Sequence, residues 1–234
     1  MSGYILLEGG AEFGGRMAEP DLAAIALAGG PDAFIGIIPA AAASDHNHRR
    51  AGNNGLRWFQ FLGARLVNVL PLIDTASANQ PEMVESVRKS RLLYLLGGFP
   101  DYLGKTLAGS LAWQAMVEAY QAGAVIAGSS AGAMVLCSHY YDPASQCVSP
   151  GLGLIPNACV LPHHNTFGKG WARHLSALLP GVTLIGIDEQ TGMLNSVPGG
   201  GWQVYGAGAV TVYSDNTAAA FSTGTVFSLP GSTD

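Results

Sequence analysis

The sequence predicts an α/β protein: one doubly wound, mostly parallel sheet flanked by helices, with a C-terminal β-hairpin, all in a single domain spanning residues 1–234. Three observations predict it. Short, continuous apolar runs recur along the chain, amphipathic stretches lie between them, and each run stops at Gly, Pro or a polar residue. A strand that is apolar on both sides is covered on both faces, as in a parallel sheet. Strand–helix alternation gives the doubly wound architecture, in which ligands sit beyond the carboxyl ends of the strands.

The apolar runs at 4–10, 33–40, 64–72, 91–98, 123–130 and 182–188 read as buried strands. Helices are expected over 20–28, with Pro20 in the first turn, and over 48–62, 80–90, 111–121 and 169–179. The tail "GGWQVYGAGAVTVYS" alternates in the manner of a strand pair and predicts a hairpin turning near Gly206–Gly208.

Composition narrows the functional classes. Nearly half of the 234 residues are apolar and 12% are charged, which excludes a disordered chain. A formal charge of -5, with no basic run of five or more, argues against nucleic acid or an anionic membrane as partner. No stretch approaches the ~18 apolar residues of a membrane span, and the N-terminus lacks the features of a signal peptide. Cys137, Cys147 and Cys159 are odd in number and lack metal-ligand spacing, so a reduced cytoplasm is the expected location. The apolar content permits a homodimer without locating its face.

"GAVIAGSSAGAMVLC" (123–137) places Gly128-Ser129-Ser130-Ala131-Gly132 between a strand and a helix. This fits G-x-S-x-G, the elbow that lifts a serine above a sheet, with Ser130 at its centre. Small neighbours are needed because chain and helix approach closely there. A serine needs a base and an orienting acid to become nucleophilic. "LPHH" supplies His163 and His164 after one apolar run, and "IGIDEQTGML" supplies Asp188 and Glu189 after another. All three pieces project to one edge of the sheet, as a Ser–His–Glu triad requires. The chain order Ser, His, acid differs from the Ser, acid, His of an α/β-hydrolase. Cys137 lies too far along the helix to replace the serine. Ser44-Asp45-His46-Asn47-His48 lacks metal-ligand spacing, so no metal is expected, but at a strand end the loop can line a pocket.

"LLEGGAEF", "GGFPDYL", "AGSSAGAMVL", "LPHH" and "IGIDEQTGML" together resemble the serine exopeptidases that include dipeptidase E and cyanophycinase. The resemblance covers most of the chain. It implies a glutamine-amidotransferase-like fold, no cofactor, and a small peptide substrate, with acidic or β-linked aspartyl residues as the first candidates. It also implies Ser130 as nucleophile, Glu189 as acid and the backbone N–H groups of Gly98 and Ala131 as the oxyanion hole. The family's P-H-F pattern places His163 in the base role and His164 at the Phe position. The G-E-T-R segment of dipeptidase E and the clustered arginines of cyanophycinase are absent, leaving Arg173 and His164 as candidate substrate-binding residues. Two rival readings keep the same residues: a non-catalytic metabolite-binding protein, and an esterase or acyltransferase.

Overall fold

The computed structural model describes residues 3–214 and 217–230. The first half of the chain builds a parallel sheet from β1 (Tyr4–Glu8), β2 (Phe34–Ile38), β3 (Leu66–Val69), β4 (Leu92–Leu95) and β5 (Val125–Ser129). Their spatial order is β3-β2-β4-β5-β1. The chain then crosses to a second sheet with β6 (Cys137–Asp142), β7 (Cys147–Pro150), β8 (Ile155–Leu161) and β9 (Thr183–Ile187). It returns to the first sheet with β10 (Thr191–Val197) and β11 (Gly201–Gly206), adds β12 (Ala209–Ser214) and β13 (Thr217–Ser222) to the second, and ends with β14 (Val226–Phe227) on the first. The helices are α1 (Ala18–Ala28), α2 (His48–Phe61), α3 (Pro81–Lys89), α4 (Pro100–Leu107), α5 (Leu111–Gln121), α6 (Ala131–Leu136) and α7 (Trp171–Leu178).

Residue alternation along the parallel strands explains both covered faces. Leu6, Leu92, Tyr94 and Val125 point to one side, where they meet Ala24 and Ile25 of α1 and Phe59 of α2. Ile5, Leu7, Leu93, Leu95 and Ile126 point to the other, into a larger core. That core also takes Leu136 of α6, Val160 of β8, Leu175 of α7 and Ile185 of β9, so the two sheets share it. Each fully buried Leu or Ile contributes about 1.5–3 kcal/mol. Among the described residues no helix is long and apolar enough to cross a membrane.

The α/β class, the parallel strands and the C-terminal hairpin are as the sequence predicts. The hairpin is β12–β13, paired from Ala209↔Ser222 to Ser214↔Thr217. Its turn is therefore displaced from Gly206–Gly208. There Ala207 N–H donates to the Gln190 carbonyl at 2.8 Å, and the chain passes from the first sheet to the second. Strand β11 pairs with β10 and β14, and β12 with β9 and β13. Among the features that went unread are the splitting of the strands into two sheets and α4, whose eight residues open on Pro100, one residue beyond the Gly97–Gly98 pair.

Candidate active site

The elbow forms where β5 gives way to α6. Ser130 adopts φ 50° and ψ -112°, a strained conformation for a residue with a side chain. The flanking glycines let the turn close: a Cβ on Gly128 would lie 2.5 Å from the Gly132 carbonyl carbon, and one on Gly132 2.2 Å from the Leu95 carbonyl oxygen. Ser130 N–H donates to the Glu8 carbonyl at 3.0 Å, tying the elbow to the end of β1.

The imidazole of His163 comes to Ser130 from the end of β8. Its Nε2 lies 3.0 Å from Ser130 Oγ and its Nδ1 lies 2.8 Å from Glu189 Oε1. With a carboxylate on one side and a hydroxyl on the other, the tautomer follows: Nδ1–H donates to Glu189, leaving Nε2 to accept the serine proton. The ring is held from several directions. His163 N–H donates to the Gly9 carbonyl at 2.7 Å, and the His163 carbonyl accepts from Thr166 and Gly168 N–H at 3.0 Å. Phe167 stacks on the ring at 4.6 Å between centroids. Gly10, at φ +109°, leaves the space the ring occupies; a Cβ there would lie 2.3 Å from His163 Cε1. Glu189 is fixed through its N–H, which donates to Asn165 Oδ1 at 2.9 Å, while Thr166 Oγ1 approaches Oε1 at 3.4 Å. Such a relay can draw a proton from a hydroxyl and return it to a leaving group.

The Gly97–Gly98 turn lies against the serine: a Cβ on Gly97 would be 3.3 Å from Ser130 Cβ. Gly98 and Ala131 thus flank Ser130 from the β4 and α6 sides, and among the described residues neither N–H donates to another protein group. The two candidate substrate-binding residues sit elsewhere. His164 is 5% exposed and turns into the second sheet, with Nε2 2.8 Å from the Tyr213 hydroxyl and Nδ1 3.5 Å from Asp188. Burial holds its pKa below the ordinary histidine value. It links β8 to β9 and β12. Arg173 lines a cavity of about 810 Å³ between α7 and the β12–β13 hairpin, separate from the pocket beside Ser130. Adjacent residues of a turn point apart, so only His163 of the pair reaches the serine.

The pocket at the Gly97–Gly98 turn has a volume of about 270 Å³ and is lined by Glu12, Phe13, Asp45, Asn47, Arg50 and Asn54 among others. The 44–50 loop therefore does form a wall of it. Glu12 was not singled out from the sequence, nor was the buried group beneath it. Glu8 and Asp21 are both fully buried. Glu8 accepts a short hydrogen bond from the Tyr94 hydroxyl, and Asp21 accepts from Trp58 Nε1 at 2.7 Å. Their remaining oxygens, Glu8 Oε1 and Asp21 Oδ1, are buried with no hydrogen-bond partner among the described residues. Burial pushes Glu8 well above the usual carboxylate range and Asp21 up to about 7. An acid ending the otherwise apolar run "YILLE" is the one sequence signal that pointed here.

The pattern of peptidase family S51 matches residues 5–196. Fold and matches together define a peptidase of the serine-hydrolase class. The chain belongs to peptidase family S51. The cyanophycinase of Synechococcus elongatus is 29% identical over 222 residues, covering 90% of this chain and 67% of that protein. The cyanophycinase of Geminocystis herdmanii is 32% identical over 176 residues, covering 70% of this chain and 63% of that protein. The chain thus spans about two thirds of the length of these curated relatives. Among solved structures, a peptidase from an acI-B1 Actinobacterium superposes with a TM-score of 0.86 at 31% identity, over 98% of both chains. A peptidase E protein from Listeria monocytogenes, at 16% identity and a TM-score of 0.61 over 94% of this chain and 98% of its own, shares the fold.

Proposed function

We propose that the protein is a serine exopeptidase of small peptides, with Ser130 as nucleophile, His163 as general base and Glu189 as its orienting acid. The observation that carries this reading is the unbroken relay from Ser130 Oγ to His163 Nε2 at 3.0 Å and from Nδ1 to Glu189 at 2.8 Å. Ser130 attacks a peptide carbonyl as Nε2 takes its proton. The Gly98 and Ala131 N–H groups hold the oxyanion, and the imidazolium, steadied by Glu189, protonates the departing amine. Water then enters with His163 again as base and releases the acyl group. No step calls on a metal or cofactor. Peptides with an amino-terminal acidic or β-linked aspartyl residue are the first substrates to test. Support for one domain comes from the core shared by both sheets, and three unpaired cysteines suit a reducing cytoplasm.

The test is a dipeptide library incubated with wild type and Ser130→Ala and read by mass spectrometry. The variant should lose several orders of magnitude in turnover on whatever the wild type cleaves. Equal cleavage by both would overturn the assignment.

A further inference from the structure

The pocket beside Ser130 holds a charged group that the proton relay does not use. Glu12 Oε2 accepts from the Ser129 hydroxyl at 3.1 Å, and Ser129 is fully buried next to the nucleophile. Its other oxygen faces the Gly97 turn: a Cβ on Gly97 would lie 3.2 Å from Glu12 Oε1 and 3.3 Å from Ser130 Cβ. One glycine therefore separates a fixed carboxylate oxygen from the nucleophilic residue. We propose that Glu12 anchors the α-ammonium group of the residue whose carbonyl Ser130 attacks, which confines cleavage to the bond after a free amino-terminal residue. This rests on the Ser130 reading and adds the group that selects the substrate.

The pocket's charges favour a cation at Glu12. Asp45 and Arg50 are both exposed on its outer wall and offset one another. Inside, Glu12 is half-buried, and among the described residues Arg50 is the one basic side chain lining the pocket, so its lining carries a net negative charge with Glu12 innermost to the Gly97 turn. Glu12 is near enough to push up the pKa of both acids, a repulsion that a bound ammonium relieves. Substrate geometry agrees. In an α-linked peptide the ammonium nitrogen is only two bonds from the attacked carbonyl carbon, so its anchor has to adjoin the nucleophile. At about 270 Å³ the pocket lies below the range for drug-sized ligands, which suits one terminal residue rather than a continuing chain.

The experiment compares kcat/KM for a cleaved dipeptide and its N-acetyl counterpart, in wild type and Glu12→Gln, with fluorophosphonate labelling of both proteins alongside. Wild type should prefer the free amine by about 10–100-fold, the range expected for a charge-assisted pair. Glu12→Gln should lose most of that preference, chiefly through a higher KM for the free amine. A second readout uses wild type alone, so variant folding plays no part in it: a mixture of amino-acid amides should protect the serine from labelling, and their N-acetyl forms should not. Labelling with no preference for the free amine, or a preference kept in Glu12→Gln, would overturn the anchor and leave the Ser130 reading standing. Absence of both labelling and hydrolysis in wild type would overturn the two together.

Discussion

Gly10→Ala isolates the placement of the imidazole from its chemistry, because it alters neither Ser130, His163 nor Glu189. The added Cβ would lie 2.3 Å from His163 Cε1, 2.6 Å from Nε2 and 2.9 Å from Nδ1, so it meets the ring broadside. An ordinary contact is about 3.5 Å, so the ring has to retreat by about 1 Å. The 3.0 Å approach of Nε2 to Ser130 Oγ would then open beyond hydrogen-bonding distance. A misplacement of about 1 Å costs on the order of 10²-fold in rate. Alanine at φ +109° adds backbone strain of roughly 1–2 kcal/mol, and at roughly 2–4 °C per kcal/mol melting should fall by a few degrees. The assay is the second-order rate of fluorophosphonate labelling, with the melting temperature measured separately. A folded Gly10→Ala protein that labels at the wild-type rate would refute the view that this glycine makes room for a working base.

Other perturbations have equally definite outcomes. Asp21, held up at about 7 in the fold against 3.8 for the free group, contributes stability that is fully present below pH ~4 and is lost as the pH rises towards 7. Wild type should therefore gain up to about 3 kcal/mol more than Asp21→Asn between pH 8 and pH 5, roughly two pH units at 1.36 kcal/mol each; denaturant midpoints at the two pH values would show it, and identical slopes would contradict it. His164, lowered by burial, acts in the opposite sense in both proteins and cancels from the difference. His164→Ala should cost about 1–3 kcal/mol through the lost Tyr213 and Asp188 contacts yet still label at Ser130; abolished labelling in a folded variant would return His164 to the site. Arg173→Ala should leave KM for small peptides unchanged, since its cavity is not the one beside the serine; a large rise in KM would place it in the substrate's path.

Legibility in the sequence followed how local each feature was. The elbow was readable because its requirement is steric and confined to five residues: Gly128 and Gly132 are small where backbone passes within van der Waals distance of them. His163 and Glu189 were readable as residues that follow the ends of β8 and β9, but those strands lie in the second sheet, so the stacking of the two sheets, not one shared rim, brings them to Ser130. The buried strands β1, β2, β4 and β5 were plain from their apolar runs. What escaped depends on contacts distant in the chain. Nothing in "GGAEF" says that Glu12 bonds to Ser129, 117 positions away. The Glu8–Asp21 pair joins a strand end to a helix interior, and only the fold puts Trp58 and Tyr94 around it. The passage between sheets at Gly206–Gly208 looked like a hairpin because glycine between apolar runs marks any sharp change of direction; the partners of β11 and β12 are chosen elsewhere. His164 was ambiguous because adjacent residues share a strand end, and orientation is decided by Tyr213 and Asp188.

The central claim, that one hydroxyl in this chain is made nucleophilic by the relay behind it, is best tested by mapping a fluorophosphonate adduct with tandem mass spectrometry. A single adduct on Ser130, absent from Ser130→Ala and strongly slowed in His163→Ala, is the predicted result. An adduct on Ser129 or another residue, or none on folded wild-type protein, would contradict it.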